Sequence, residues 1–130
     1  MRLEHINLTV TNVERSAAFY CDLLDLHVRW KGTDNEGNPA IHVGTDSQYL
    51  ALFTATAPGH VHGDYTHRGI NHFGWVVDDL DAARQRVAEL GATIHFAPEY
   101  QPGRRLYLRD PDGHEIEVVE YRDVPDGISP

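Results

Sequence analysis

A chain that repeats itself has few folds open to it, and this one repeats itself once. His5-Ile6-Asn7-Leu8-Thr9-Val10 and His72-Phe73-Gly74-Trp75-Val76-Val77 share one outline at an offset of 67 positions (72 − 5 = 67). In each stretch apolar residues alternate with other types, the period of a strand with one buried face. A helical pattern follows both. Val13, Ala17, Tyr20 and Leu24 recur at helical spacing behind a capping box of Thr11 with Glu14. Leu80, Ala83, Val87 and Leu90 do the same behind Asp78 or Asp79, with Gly91 placed to end the helix. Further strand candidates come after each helix: LHVRWKG, PAIHVGT and QYLALFT in the first copy, ATIHFA, RRLYLRD and HEIEVVEY in the second. The last two are joined by Asp110-Pro111-Asp112-Gly113, a hairpin turn signal. Each copy reads strand-helix-strand-strand-strand, so the fold class is α+β with two βαβββ modules.

A length of 130 residues suffices for one shared core and not for two independent ones. The expected organisation is a single domain over 1–130: a module at about 1–55, a connector at 56–70, a second module at about 71–122 and a frayed tail at 123–130. The modules would form a cupped, eight-stranded mixed sheet, apolar faces under the helices and opposite faces lining a concave trough. A small-molecule substrate is expected there. Composition narrows the choice of partners. With 11 basic and 20 acidic residues the formal charge is −9, a sign that repels phosphate backbones and argues against nucleic acid. The opening MRLEHINLTV holds no apolar run long enough for a signal peptide or a membrane span. The lone Cys21 permits no internal disulfide, which fits a cytoplasmic location.

Alternation also says which residues face the trough. His5, Asn7 and Thr9 lie opposite the apolar face of the first strand, and His72, Gly74 and Val76 opposite that of its echo. The last strands match at an offset of 66, which pairs Ala51 with Glu117 on the same side (117 − 51 = 66). Glu115 shares that face but lies nearer the hairpin, where solvent is its expected neighbour. Internal symmetry therefore assembles His5, Ala51, His72 and Glu117. Two neutral imidazoles and a carboxylate are a set that binds divalent iron and leaves coordination positions open. Manganese, zinc or nickel suit the same donors. A glutamate on a central strand is costly to bury without a cation or a donor beside it. Of the nine histidines, His60, His62 and His67 fall among Gly, Pro and Asp and are read as a polar loop.

The segments LEHINLTVTNVERSAAFYCDLL, GINHFGWVVDDLDAARQRVAELGA and GRRLYLRDPDGHEIEVVEY together cover nearly the whole chain. They resemble the vicinal oxygen chelate superfamily, which holds glyoxalase I, type I extradiol dioxygenases, fosfomycin-resistance enzymes, methylmalonyl-CoA epimerase and bleomycin-binding proteins. The resemblance implies paired βαβββ modules, often in a homodimer, with a divalent metal in the cup. Its ligand positions fall on His5, His72 and Glu117. Where glyoxalase I and the epimerase carry a fourth ligand, this chain has Ala51, a departure from both. Leu106-Tyr107-Leu108-Arg109-Asp110-Pro111-Asp112-Gly113-His114-Glu115-Ile116-Glu117 resembles the end of the extradiol dioxygenase signature, including its tyrosine. Tyr107 alternates with Leu106 and Leu108, so it should face the trough, either as a hydrogen-bond donor beside the metal or as a packed ring. The histidine at the front of that signature is missing, since Pro98, Glu99 and Tyr100 stand there. His42, between Ile41 and Val43, is the candidate to replace it, against a supporting or surface role. Fosfomycin-type enzymes fit less well, because Asn7 stands where they carry a threonine and the connector lacks their basic cluster.

The expected function is a metal-dependent enzyme whose small substrate chelates the ion through neighbouring oxygens, dioxygenase-like with a three-ligand site. A glyoxalase-type lyase or isomerase is one alternative, and a non-catalytic, bleomycin-resistance-like binding protein is the other. His5, His72 and Glu117 are the expected metal ligands, and Tyr107 and His42 the candidate catalytic groups. Asn7, Ala51, Arg104 and Arg105 are the candidates for substrate contacts, the arginines as a clamp for an acidic group.

Overall fold

The computed structural model describes residues 1–59, 63–100 and 103–122. The expected tail at 123–130 and the loop residues His60 and His62 lie outside the described residues. The chain divides into two compact units, Met1–His60 and Val61–Pro130. The first runs β1 (His5–Val10), α1 (Val13–Leu24), β2 (His27–Thr33), β3 (Pro39–Gly44) and β4 (Tyr49–Thr54). The second runs β5 (His72–Val76), α2 (Leu80–Glu89), β6 (Ile94–Phe96), β7 (Glu99–Tyr100), β8 (Gly103–Arg109) and β9 (Glu115–Tyr121). Both are βαβββ modules, as the repeat requires. The short β7, which pairs with β8, is an addition that the pattern of residues did not announce. Among the described residues no helix is long and apolar enough to cross a membrane.

The two units reuse one topology. Strand order is β1-β4-β3-β2 in the first sheet and β5-β9-β8-β6 in the second. The strand before each helix pairs in parallel with the last strand of its unit, and the remaining neighbours are antiparallel. Each helix thus serves as the crossover of a parallel pair and lies on one face of its own sheet. In the first unit that face carries Leu8, Val10, Ile41, Val43, Leu50 and Leu52, all at most 8% exposed, under Val13, Ala17, Tyr20 and Leu23 of α1. In the second it carries Leu106, Leu108, Ile116 and Val118, all fully buried, with Leu80, Ala83 and Val87 of α2 among the buried residues. Full burial of an aliphatic side chain contributes about 1.5–3 kcal/mol, so these faces dominate the driving force.

Two details of α1 differ from the sequence reading. Its N-cap is Asn12, whose Oδ1 accepts from the backbone N–H of Arg15 at 3.0 Å. A cap one residue later than Thr11 puts Arg15, not Glu14, at the third helical position, so the expected capping box cannot close. Glu14 instead accepts from Lys31 Nζ of β2 at 3.0 Å. The buried residue in the last turn is Leu23, while Leu24 is half-buried. In α2 the cap is Asp79, accepting from Ala82 N–H at 2.9 Å, 67 positions after Asn12 (79 − 12 = 67). Gly91 follows at φ +69, a left-handed conformation that ends a helix at little cost only for glycine.

Candidate functional site

The sheet face away from α2 carries His72, Arg105, Tyr107, Glu115 and Glu117. Pairing of β5 with β9 sets His72 against Glu115 and Gly74 against Glu117, and pairing of β8 with β9 sets Tyr107 against Glu117 and Arg105 against Val119. The hairpin before β9 fixes where this row begins. Asp110 Oδ1 accepts from the N–H groups of Asp112 and His114, both at 2.9 Å, and Gly113 takes φ +89. β9 thereby starts at Glu115.

His72 Nε2 stands 3.2 Å from Glu117 Oε2, and Arg105 Nε donates to Glu117 Oε1 at 2.6 Å. Arg105 is 7% exposed, so this ion pair is held largely out of water and pins the carboxylate by one oxygen. The other oxygen is turned toward the imidazole. Gly74 leaves the space beside that oxygen clear: a Cβ there would lie 3.8 Å from Oε2. On its far side the ring has acceptors. Nδ1 lies 2.9 Å from Asn71 Oδ1 and 3.0 Å from the hydroxyl of Tyr65. Tyr65 has one proton and gives it to Glu115 Oε1, so it meets His72 through oxygen lone pairs. Two acceptors before Nδ1 favour the proton there in a neutral ring. In that tautomer Nε2 points a lone pair at a carboxylate oxygen, an opposition that a proton or a cation between them relieves. The donor set therefore fits a divalent ion held by His72 and Glu117. Among the described residues, no three His, Cys, Asp or Glu side chains gather at the spacing of a metal cage.

Glu115 is the residue that sequence reasoning placed wrongly. It was expected against solvent, yet its side chain is 9% exposed, less than the 16% of Glu117. Besides Tyr65, it accepts from His95 Nε2 at 2.8 Å and lies 3.7 Å from Arg109 Nη2. Burial pushes its carboxyl up, but the hydrogen bonds from Tyr65 and His95 and the charges of His95 and Arg109 outweigh burial and leave it below its ordinary value. The same hydrogen bond raises the Tyr65 phenol to about 12, with burial and the carboxylate charges of Glu115 and Glu117 adding to it. Its alternation with Ile116 marks Glu115 for this face. What the strand pattern omits is Tyr65, a connector residue that folds back over it. Tyr65, His72, His95, Phe96, Tyr107 and Glu115 line a hollow of about 340 Å³. Its walls are mostly rings: Tyr107 stands edge-on to His72 at 5.3 Å and tilted against Phe96 at 5.6 Å.

Arg104 does not share this face. Neighbours along a strand point to opposite sides, and Arg104 reaches the helix side, where Nη2 donates to Glu120 at 2.8 Å and approaches Asp81 of α2 at 3.4 Å. Glu120, itself buried, also accepts from Leu80 N–H at 2.9 Å. Arg104 thus joins strand to helix, and the expected pair of clamping arginines is divided by the sheet.

The open face of the first unit is built of rings. Register sets His5 against Tyr49, Asn7 against Ala51 and Ala51 against His42, with His42 also beside Trp30. Tyr49 is stacked between His5 at 4.9 Å and His42 at 4.8 Å, and Arg29 lies 4.5 Å over its ring. His42 also meets Trp30 at 4.8 Å. Burial first, then the charges of His5 and Arg29, hold His42 below its ordinary pKa, which favours the neutral imidazole. Ala51, the counterpart of Glu117, is 4% exposed, its methyl closed in by this row. His5 is exposed, its Nδ1 3.6 Å from Glu4.

Comparison with known proteins follows from these two modules. A sequence profile described as Glyoxalase/Bleomycin resistance protein/Dioxygenase superfamily matches residues 2–118. Glutathione transferase FosA of Serratia marcescens is 29% identical over 121 residues, spanning 89% of this chain and 78% of that protein. Catechol-2,3-dioxygenase of Bacillus subtilis is 30% identical over 125 residues, spanning 93% of this chain but 41% of that longer enzyme. A solved glyoxylase/bleomycin resistance protein/dioxygenase domain from Frankia sp. EAN1pec superposes with a TM-score of 0.79 at 24% identity, covering 95% of this chain and 93% of that one. The last likeness is one of fold.

Proposed function

Since the chain belongs to the Glyoxalase/Bleomycin resistance protein/Dioxygenase superfamily, we propose that it is a metal-dependent enzyme acting on a small substrate with neighbouring oxygens, in the manner of the ring-cleaving dioxygenases. The observation that carries this reading is the pairing of His72 Nε2 with Glu117 Oε2 at 3.2 Å, on the sheet face that also bears the ring-walled hollow. His72 and Glu117 are two ligands of the ion. His5, the residue at the matching register position of the first unit, is the third. Iron(II) is the favoured ion, with manganese, zinc and nickel as competitors for the same donors. When bound, the ion supplies Lewis acidity to the substrate's oxygens and, as iron(II), a place for dioxygen.

The chain's own residues do the rest. Arg105 orients Glu117 and balances its charge, leaving one oxygen for the ion. Tyr107, opposite Glu117 in the ladder, presents a phenol on the same face as a donor to substrate oxygen. His42, kept neutral, is an acid–base candidate on the open face of the first unit, where Asn7 and Ala51 are the proposed substrate contacts. A flat ring suits walls made of Tyr65, Phe96 and Tyr107 better than an anionic group does, because Arg105 and Arg109 are already engaged by Glu117 and Glu115. Ala51, buried where a fourth ligand would stand, separates this reading from a glyoxalase-type lyase. A homodimer in the cytoplasm is the proposed setting.

Metal analysis of protein purified without a histidine tag tests the reading. About one equivalent of transition metal per chain is expected, falling severalfold in His72→Ala and Glu117→Ala. Less than roughly a tenth of an equivalent, unchanged by either substitution, overturns it in favour of a metal-free binding protein. Oxygen uptake by the iron-loaded protein with a panel of catechols then separates ring cleavage from lyase or isomerase chemistry.

A further inference from the structure

Tyr65 belongs to neither sheet, yet its hydroxyl meets both His72 Nδ1 and Glu115. The connector is built to bring it there. Gly63 lies so close to the next turn of chain that a Cβ on it would fall 1.6 Å from the carbonyl oxygen of Ile70, so the backbone at 63 and at 70 can meet only through glycine. Between them Asp64 gathers a tight turn. Its Oδ1 accepts from the N–H of His67 at 2.6 Å, the N–H of Thr66 at 2.8 Å and the Thr66 hydroxyl at 2.8 Å, and its Oδ2 pairs with His67 Nδ1 at 2.9 Å. Tyr65 is presented at the apex. Its hydroxyl donates to Glu115 Oε1 and receives His72 Nδ1 at 3.0 Å. Glu115 is in turn fixed by His95 at 2.8 Å and flanked by Arg109 at 3.7 Å, while its direct separation from His72 Nδ1 is 3.9 Å, too long for a hydrogen bond. The tyrosine oxygen bridges that gap.

We propose that Tyr65 is a positioning residue: it relays the buried carboxylate of Glu115 to His72 and, with Asn71, keeps the proton on Nδ1 so that Nε2 is presented to the metal. Imidazoles that bind metals commonly give their other N–H to a carboxylate, a carbonyl or water, and losing that partner typically weakens the metal by about 10- to 100-fold. Here the carboxylate acts through a phenol that comes from outside the sheet. The metal part of the inference rests on the function proposed above, whereas the proton's location does not, and the experiment keeps the two apart.

Ring-nitrogen NMR on the full chain, metal-free and at a pH of about 9, where imidazoles are neutral, reads the tautomer directly. His72 in the unsubstituted protein is expected as the Nδ1–H form. Tyr65→Phe shifts part of the population to Nε2–H, and Tyr65→Phe with Asn71→Ala moves most of it, since Nε2–H can then donate to Glu117. Glu115→Gln, whose amide oxygen still accepts from Tyr65, preserves the Nδ1–H form, whereas Glu115→Ala does not. Titration with manganese(II) alone should show the double variant binding at least about tenfold more weakly, at unchanged far-ultraviolet circular dichroism. A His72 ring already Nε2–H in the unsubstituted protein, or one that ignores both Tyr65→Phe and the double substitution, overturns the proposal. If the tautomer behaves as expected but the unsubstituted protein binds no manganese, iron or zinc, the positioning role stands and the metal reading falls.

Discussion

A carboxylate with two oxygens can serve two masters, and Glu117 does so by being held at one end. Arg105 takes Oε1 at 2.6 Å, which turns Oε2 toward His72, with Gly74 opposite Glu117 across the strand pair. A Cβ at Gly74 would meet Glu117 at ordinary van der Waals distance, 3.7 Å from its Cβ. Gly74→Ala should therefore fold well and gain about 0.5–1 kcal/mol, because glycine inside a strand is entropically costly. Gly74→Leu extends further, over Oε2, and should weaken manganese binding about tenfold, the scale of a disturbed metal environment. Calorimetric titration of both variants, beside their melting temperatures, checks the claim; equal affinities for the two would mean that the space beside Glu117 serves no ligand. The residue scale is also where sequence and structure part most clearly. Arg104 and Arg105 were grouped by adjacency, although strand alternation already assigns them to opposite faces. Glu115 differs for another reason: one of its partners is Tyr65, fifty positions away, and no local pattern reports a loop folding back (115 − 65 = 50).

Caps show how the repeat works at the level of elements. Asn12 and Asp79 occupy the same place before α1 and α2, and each accepts from the N–H three residues on. Only one of them titrates. The hydrogen bond from Ala82 N–H holds the Asp79 carboxyl below its ordinary value, against a smaller opposing effect of desolvation. A depressed carboxylate contributes stability that is complete above its unfolded-state pKa and is lost as pH falls through its folded value. Acidification from about pH 5 toward 2 should therefore loosen the start of α2 and spare that of α1. Asp79→Asn keeps a capping side chain without the charge, so its melting temperature should fall less steeply over that range, measured by circular dichroism at each pH. The elements themselves were legible because each has a period: two for the strands, 3.6 for the helices. Where the period says little the structure departs from the pattern, by one residue at the Asn12 cap and by a whole strand at β7, too short to carry a period.

For the molecule as a whole the sign of the charge matters more than any one pair. A formal −9 over 130 residues surrounds the chain with a field that draws in divalent cations and turns away anions. That field is screened by salt over distances of about 8–10 Å near physiological ionic strength, whereas ligand bonds to a metal are not. Manganese affinity should fall severalfold between about 0.05 M and 0.5 M sodium chloride, and a constant affinity would assign all of it to the ligands themselves. The doubling of the module was the most legible property of the chain, since it is written twice at a fixed offset. The division of character between the copies was less so. The first unit's open face is given to stacked rings, the second's to ion pairs beside a ring-walled hollow, and the placement of Tyr49, Trp30 and Glu115 in their registers makes that visible.

Ala51 gives this asymmetry a practical edge for anyone wishing to redirect the chemistry. Its methyl is 4% exposed, wedged in the ladder between Asn7 and His42, the latter gripped by Trp30 and Tyr49. A glutamate or glutamine introduced at that position alone would have nowhere to lie, and overpacking of this kind costs about 1–3 kcal/mol. On the function proposed above, a fourth ligand is therefore not reached by substituting position 51 alone. A selection library aimed at it should randomise positions 7 and 42 first, and reach 51 only once they have made room.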